Sequence, residues 1–253
     1  MTLFHCKKIM HLAAFGGVFL LAAGAQSALA DPLTITTLAP GVQVPTGITT
    51  YYESFDTAVP SGGTLTTNFN GSPVTGTYTG SFAILPADAY GGANGTKFIS
   101  TSGTSSSYTL TLDKPVNYFG LWFSALDAGN SINFYNGKDL VDTFSASNFI
   151  GMVGSCSGKT NAYCSNPNNG LDAAEQFAYL NFYDSTGTFN KIVFDQDTSS
   201  GQFESDNQTV ASLSLAPGGI PISGVTPEPA TLFLFGTGLV GFAGLFRRRL
   251  LMQ

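Results

Sequence analysis

Histidine is nearly missing from this sequence. The 253 residues contain two, His5 and His11, both in the opening segment. Residues 31–225 contain none, which excludes Ser-His-Asp and Cys-His nucleophilic centres there, along with His-ligated zinc. Arginine is confined to one run, Arg247, Arg248 and Arg249. Between 31 and 225 the cations are Lys97, Lys114, Lys138, Lys159 and Lys191, and fifteen carboxylates oppose them, leaving that stretch at −10. So acidic a surface repels phosphate backbones and argues against nucleic acid as a partner. It suits an extracellular protein, including one that meets divalent cations. Cysteine is scarce too: Cys6 lies in the opening segment, and only Cys156 and Cys164 remain. They lack C-x-x-C spacing and sit among Ser, Gly and Asn. In an oxidising compartment they predict a structural disulfide closing a small loop, with a free or redox-active thiol pair as the alternative. No G-x-S-x-G, H-E-x-x-H or P-loop pattern occurs.

What is present sits first at the two ends. Lys7 and Lys8 precede an apolar stretch from Ile9 to Ala25, and Ala28-Leu29-Ala30 supplies a small-x-small cleavage site. Residues 1–30 therefore predict a secretory signal peptide, a retained anchor being the alternative. At the far end, Pro227, Glu228 and Pro229 are followed by the uncharged run Ala230–Phe246 and the three arginines. That run is 17 residues, about 25 Å as a helix, the short end of what spans a core of about 30 Å. The arginine cluster should stop the span and stay cytoplasmic, leaving everything before Pro227 outside.

In content and order this tail resembles the PEP-CTERM sorting signal of Gram-negative bacteria. The resemblance covers about a tenth of the chain; an ordinary C-terminal anchor behind a proline-rich linker is the plain alternative. It implies an exosortase as partner, processing at Pro227–Pro229, and a membrane attachment through 230–246 that lasts until processing. It also implies delivery to the cell surface or extracellular matrix, in a setting of exopolysaccharide and biofilm.

Between the ends, segments of alternating β-branched and aromatic residues are separated by turn residues. Strands are expected at Ile48–Phe55, Thr64–Phe69, Val74–Phe82, Lys97–Ser100, Ser107–Leu112 and Asn117–Leu126. Asn136-Gly137 joins Ser131–Tyr135 to Leu140–Phe144 as a hairpin. Further strands are expected at Phe177–Tyr183, Thr188–Phe194 and Thr209–Leu215. Residues 31–47 read as a leader or edge segment, Ser145–Asn169 as an irregular disulfide loop, and Leu171–Ala178 as the one helical turn. The pattern predicts an all-β, antiparallel β-sandwich, jelly-roll-like, over 31–215. A Pro/Gly linker at 216–226 would lead to the sorting signal at 227–253, with one C-terminal transmembrane helix. The segments INFYNGKDLVDTF, FAYLNFYDSTGTFNKIVFD and FESDN resemble passenger domains of exosortase-dependent surface proteins. These look like carbohydrate-binding sandwiches.

Candidate sites in the body are few. Trp122 is either a sugar-stacking platform or core, and its apolar surroundings favour core. Asp195, Asp197, Ser199 and Asp206 have EF-hand-like spacing, but Ser200 replaces the turn glycine and the flanks read as strands, so an EF-hand is rejected. A looser calcium site using Asp206 with Glu53 or Asp56 stands against a simple solvated acidic loop. No resident cofactor is expected beyond that structural calcium. Paired carboxylates suit glycoside hydrolysis, but fifteen acids make some pair inevitable. The sequence thus reads as an exported surface protein and not an enzyme. The alternatives are an extracellular carbohydrate-binding module, which predicts clustered exposed aromatics, and a matrix glycoside hydrolase, which predicts buried acids with shifted pKa in one cleft.

Overall fold

The computed structural model describes residues 33–222, apart from 61–62, 104, 158–160 and 198–200. The expected signal peptide with Ala28 and Ala30, the Pro227-Glu228-Pro229 motif, the 230–246 span and Arg247 to Arg249 lie outside the described residues. Among the described residues no helix is long and apolar enough to cross a membrane.

The first seven strands are β1 (Thr34–Thr37), β2 (Tyr51–Glu53), β3 (Thr64–Thr67), β4 (Gly76–Gly80), β5 (Phe82–Leu85), β6 (Phe98–Thr101) and β7 (Ser106–Val116). There follow β8 (Tyr118–Ser124), β9 (Asn130–Asn136), β10 (Asp139–Ser145), helix α1 (Ala146–Val153), β11 (Ala178–Tyr183), β12 (Phe189–Gln196), β13 (Glu204–Ala211) and β14 (Ile220–Pro221). One antiparallel sheet runs β14-β1-β11-β8-β13-β6-β5, with β2 also paired to β13. The other runs β10-β9-β12-β7-β4-β3.

Period-two patterning decides how these sheets meet. Phe189, Ile192 and Phe194 of β12 point inward with Ile132 and Phe134 of β9 and Tyr108, Leu110 and Leu112 of β7. They face Phe119, Leu121 and Phe123 of β8 and Leu180 and Phe182 of β11 across one shared core. Aromatic rings stitch the layers together: Phe134 lies 4.9 Å from Phe182, and Phe194 stacks on Tyr108 at 4.5 Å and touches Phe203 at 5.3 Å.

The first sheet is covered on its other face as well. Trp122, Tyr179, Phe177, Ala125 and Ala93 form a second apolar cluster there, under loops rather than a third sheet. Every residue of β8 and β11 is buried as a result. Trp122 is 1 % exposed and packs 5.8 Å from Phe177, so it is core and no sugar platform. Gly120 permits this packing: a Cβ there would sit 2.5 Å from the Tyr118 hydroxyl and 2.6 Å from that of Tyr179.

Several expectations need correcting. The helix is α1, inside the stretch expected to be irregular, while Leu171–Ala178 holds no helix. Ala146 and Phe149 give α1 a buried side and Gly154 ends it at φ 88°, whereas Asp172 adopts φ 50°, which breaks a helical turn. The strand expected at Ser107–Leu112 continues through Pro115 to Val116, because the pairing with β12 shifts register between Phe189 and Lys191 and needs no proline N–H there. The last long strand begins at Glu204 and ends at Ala211, so the polar run 204–208 is strand and not loop. The expected linker is docked in part: Ile220 and Pro221 pair with Thr37 and Thr36, and Ile222 is buried. Residues 31–47 contribute β1, an interior strand between β14 and β11.

Phe194→Ala should cost about 3–5 kcal/mol by removing a ring shared by both layers. Urea unfolding followed by near-UV circular dichroism reads this, and an unchanged midpoint would mean that the layers do not depend on that contact.

Candidate functional site: a carboxylate pocket

The sequence Glu204-Ser205-Asp206-Asn207-Gln208-Thr209 is polar, yet all of it is buried. Burying such groups is costly unless they are bonded, so their partners matter. On the inner face, the Gln208 amide nitrogen donates to Tyr108 Oη at 3.2 Å and to Ser205 Oγ at 3.0 Å, and Tyr78 donates to Gln208 Oε1 at 3.0 Å. A bulge follows Asp206, with Asn207 at φ 46°. On the outer face, Asp206 accepts the N–H of Ala93 at 2.7 Å and its neighbour Asn207's N–H at 2.6 Å. Burial pushes the Asp206 carboxyl up to about 8, against the opposing pull of those two amides.

Glu204 is different. It is 7 % exposed, it stands opposite Ser124 of β8, and its Oε2 has no hydrogen-bond partner in the protein. It lines a pocket of about 360 Å³ with Asp127, Glu175, Gln202 and Tyr90. Asp127 comes from the turn after β8, where it accepts the Gln202 backbone N–H and, at 3.4 Å, a Gln196 side-chain N–H. Gly201 makes this approach possible: at φ 85°, a Cβ would fall 1.6 Å from Asp127 Oδ2. Glu175 comes from the turn before β11 and meets Asp172 carboxyl to carboxyl.

Electrostatics in this corner run one way. Burial, then the charges of Asp127, Glu175 and Asp88, push Glu204 up to about 9. Burial, then Asp172 by hydrogen bond and charge, push Glu175 up to about 8. Burial chiefly raises Asp127 as well. The charges acting on these three groups are all carboxylates. Among the described residues, the buried side-chain atoms without a partner are Ser124 Oγ, Asp172 Oδ2 and Glu204 Oε2, and all three belong to this corner. Ala125 and Asp172 here also adopt positive φ, 47° and 50°.

Such an arrangement accepts hydrogen bonds and attracts positive charge. It is less suited to glycoside hydrolysis, which needs environments that push two acids apart, one neutral and one ionised. Here all three are pushed the same way. Among the described residues no group of three or more His, Cys, Asp or Glu is set to hold a metal ion. A larger depression of about 660 Å³ beside Thr64–Asn68 offers little chemistry, since its carboxylate, Glu53, already accepts the Phe55 N–H and the Thr67 hydroxyl.

The residues singled out in the sequence are scattered. Cys156 and Cys164 are disulfide-bonded with Cα atoms 5.6 Å apart. Asp195 is half-buried on β12, Asp197 is exposed, and Ser199 lies outside the described residues. Asp206 is fully buried, so it belongs to no solvated loop, and both of its oxygens are taken by backbone amides. Asp56 accepts the Lys97 N–H at 3.2 Å and the Ser54 hydroxyl at 3.1 Å. Asp127, Glu175 and Glu204 escaped notice because no spacing links residues brought together only by the sheet.

Comparison with known proteins places the tail. Residues 225–249 match the PEP-CTERM protein-sorting motif. The tail thus carries a PEP-CTERM sorting signal, which supports an exported protein addressed to an exosortase and to the cell surface or extracellular space. No curated protein and no solved structure matches it.

The raised carboxyls give a signed pH prediction. In the unfolded chain they titrate near about 4; folded, they hold protons to about 8 or 9. The folded state therefore binds more protons across that window, and stability is full below it and lost as pH rises through it. The melting temperature should fall by about 5 °C or more between pH 5.5 and 9, and Glu204→Gln should flatten the slope. A flat profile in the native protein would mean that these groups ionise at no cost.

Proposed function

We propose that this protein works in the extracellular polysaccharide matrix as a non-catalytic surface component without a resident cofactor. In this reading residues 1–30 direct export, 230–246 halt the chain in the membrane, and Arg247, Arg248 and Arg249 remain cytoplasmic. Processing at Pro227-Glu228-Pro229 by the exosortase then frees the body or hands it to another acceptor. The observation that carries the reading is the sorting motif at 225–249. The body is taken as a jelly roll. In support, the orders β7-β12-β9-β10 and β6-β13-β8-β11 come from strands that alternate between the sheets except at the β9–β10 hairpin.

A second reading, an extracellular carbohydrate-binding module, is favoured by the carboxylate pocket and by Tyr90, 52 % exposed at its lining. Carboxylates accept sugar hydroxyls and an aromatic face packs on pyranose C–H groups. The hydrolase alternative has one buried and two half-buried acids in one cleft in its favour and their common direction of shift against it.

The C-terminal peptide mass of protein from native cells, with and without the exosortase, tests the sorting account. The expected result is a mature end near Pro227–Pro229 that depends on the enzyme. An intact end through Gln253 in both strains would make the protein a plain anchored ectodomain.

A further inference from the structure

We propose that the pocket formed by Asp127, Glu175 and Glu204 binds a protonated primary amine on a hydroxyl-rich body, an amino-sugar unit. This rests on the carbohydrate-binding reading above and narrows it to one sugar class. The first argument is the lack of an opposing cation. Three carboxyl groups line the pocket, every charge acting on them is another carboxylate, and Glu204 Oε2 lacks any partner within the protein. An ammonium carries three N–H donors and a full positive charge, and that charge is what the corner lacks.

Size and spacing choose between cations. Calcium needs six to eight oxygens at about 2.3–2.6 Å, and no trio of acids among the described residues is set for a metal. Ammonium bonds are longer, about 2.7–2.9 Å, and tolerate wider carboxylate spacing. A volume of about 360 Å³ suits a small organic ligand rather than a bare ion. Tyr90 supplies an exposed ring for a pyranose face, and the Gln202 side chain lines the same wall.

Binding also has a proton signature. The carboxyl groups facing the site are Asp88 from the loop after β5, Asp127 after β8, Asp172 and Glu175 before β11, and Glu204 of β13. An arriving ammonium favours their ionised forms, so complex formation releases protons.

The test is calorimetry on the protein purified from its native host, titrated with glucosamine oligomers at about pH 6, where most of the amines are charged. Parallel titrations use N-acetylglucosamine oligomers, methylamine and trilysine. The expected result is that the free-amine oligomer binds about tenfold or more tighter than the acetylated one, with a heat that changes with buffer ionisation enthalpy. Glu204→Gln and Asp127→Asn should each weaken it about tenfold, and Tyr90→Ala about threefold. Tyr90 is half-exposed, so that variant keeps the test alive if a buried substitution misfolds. Equal binding of the acetylated oligomer overturns the amine, and trilysine or methylamine binding as tightly overturns the sugar. No binding of the native protein at about 10 mM overturns the site altogether. Processing at the tail does not involve these residues, so failure here leaves the sorting account standing.

Discussion

Strand β13 is the constraint on which the rest of this structure depends. It has eight buried residues, and the run from Glu204 to Thr209 is polar throughout. Such a strand is tolerable only if both of its faces and both of its edges find partners. Its edges take β8 on one side and, on the other, β6 before the bulge and β2 after it. Its inner face ties Ser205 and Gln208 to Tyr78 and Tyr108 across the core, which fixes one sheet over the other at a defined offset. The aromatic packing supplies most of the burial energy; this small network supplies register.

The outer face has a different consequence. Because β8, β11 and β13 are buried on that side too, loops must cover them, and loops carry backbone donors and acceptors that need partners. Asp206 answers by capping Ala93, and Asn207 by bonding the Gln43 carbonyl at 3.0 Å. The same covering loops bring Asp127 and Glu175 beside Glu204. The pocket is thus a by-product of roofing a two-sided sheet, but its filling is not. Ordinary packing would have put a cation or an apolar group beside Glu204 rather than two more carboxyls.

How much of this was legible follows from the range of each signal. Alternation in SYTLTL, INFY and FNKIVF reports a strand with one wet face, and those strands stand at β7, β9 and β12. The Asn136-Gly137 hairpin is local turn chemistry and is found as expected. β13 was harder, because a two-sided buried strand with polar side chains reads like a loop; its start was missed by five residues. The helix at Ala146–Val153 was hidden by its Ser, Asn and Gly content, and it exists because Phe149 packs on Tyr163 at 5.3 Å. The tail was legible because a sorting signal is read as linear sequence. Asp127, Glu175 and Glu204 were not, since their meeting is purely tertiary.

Composition closes the argument about the pocket. Arginine is absent from 31–225, and its five lysines are the only fixed positive charges there. Lys114 donates to the Pro73 carbonyl at 2.7 Å, Lys191 lies over the Tyr135 ring at 4.1 Å, and Lys138 sits between β9 and β10. No lysine is among the charges acting on Asp127, Glu175 or Glu204. A protein that sets a buried carboxyl beside two half-buried ones normally neutralises them from within, with arginine as the usual means. Here that means is missing from the whole body. Protons are one compensation, at the cost of holding carboxyls neutral up to pH values where a secreted protein works. A cation from outside is the other, and it also satisfies the oxygens that the fold leaves bare.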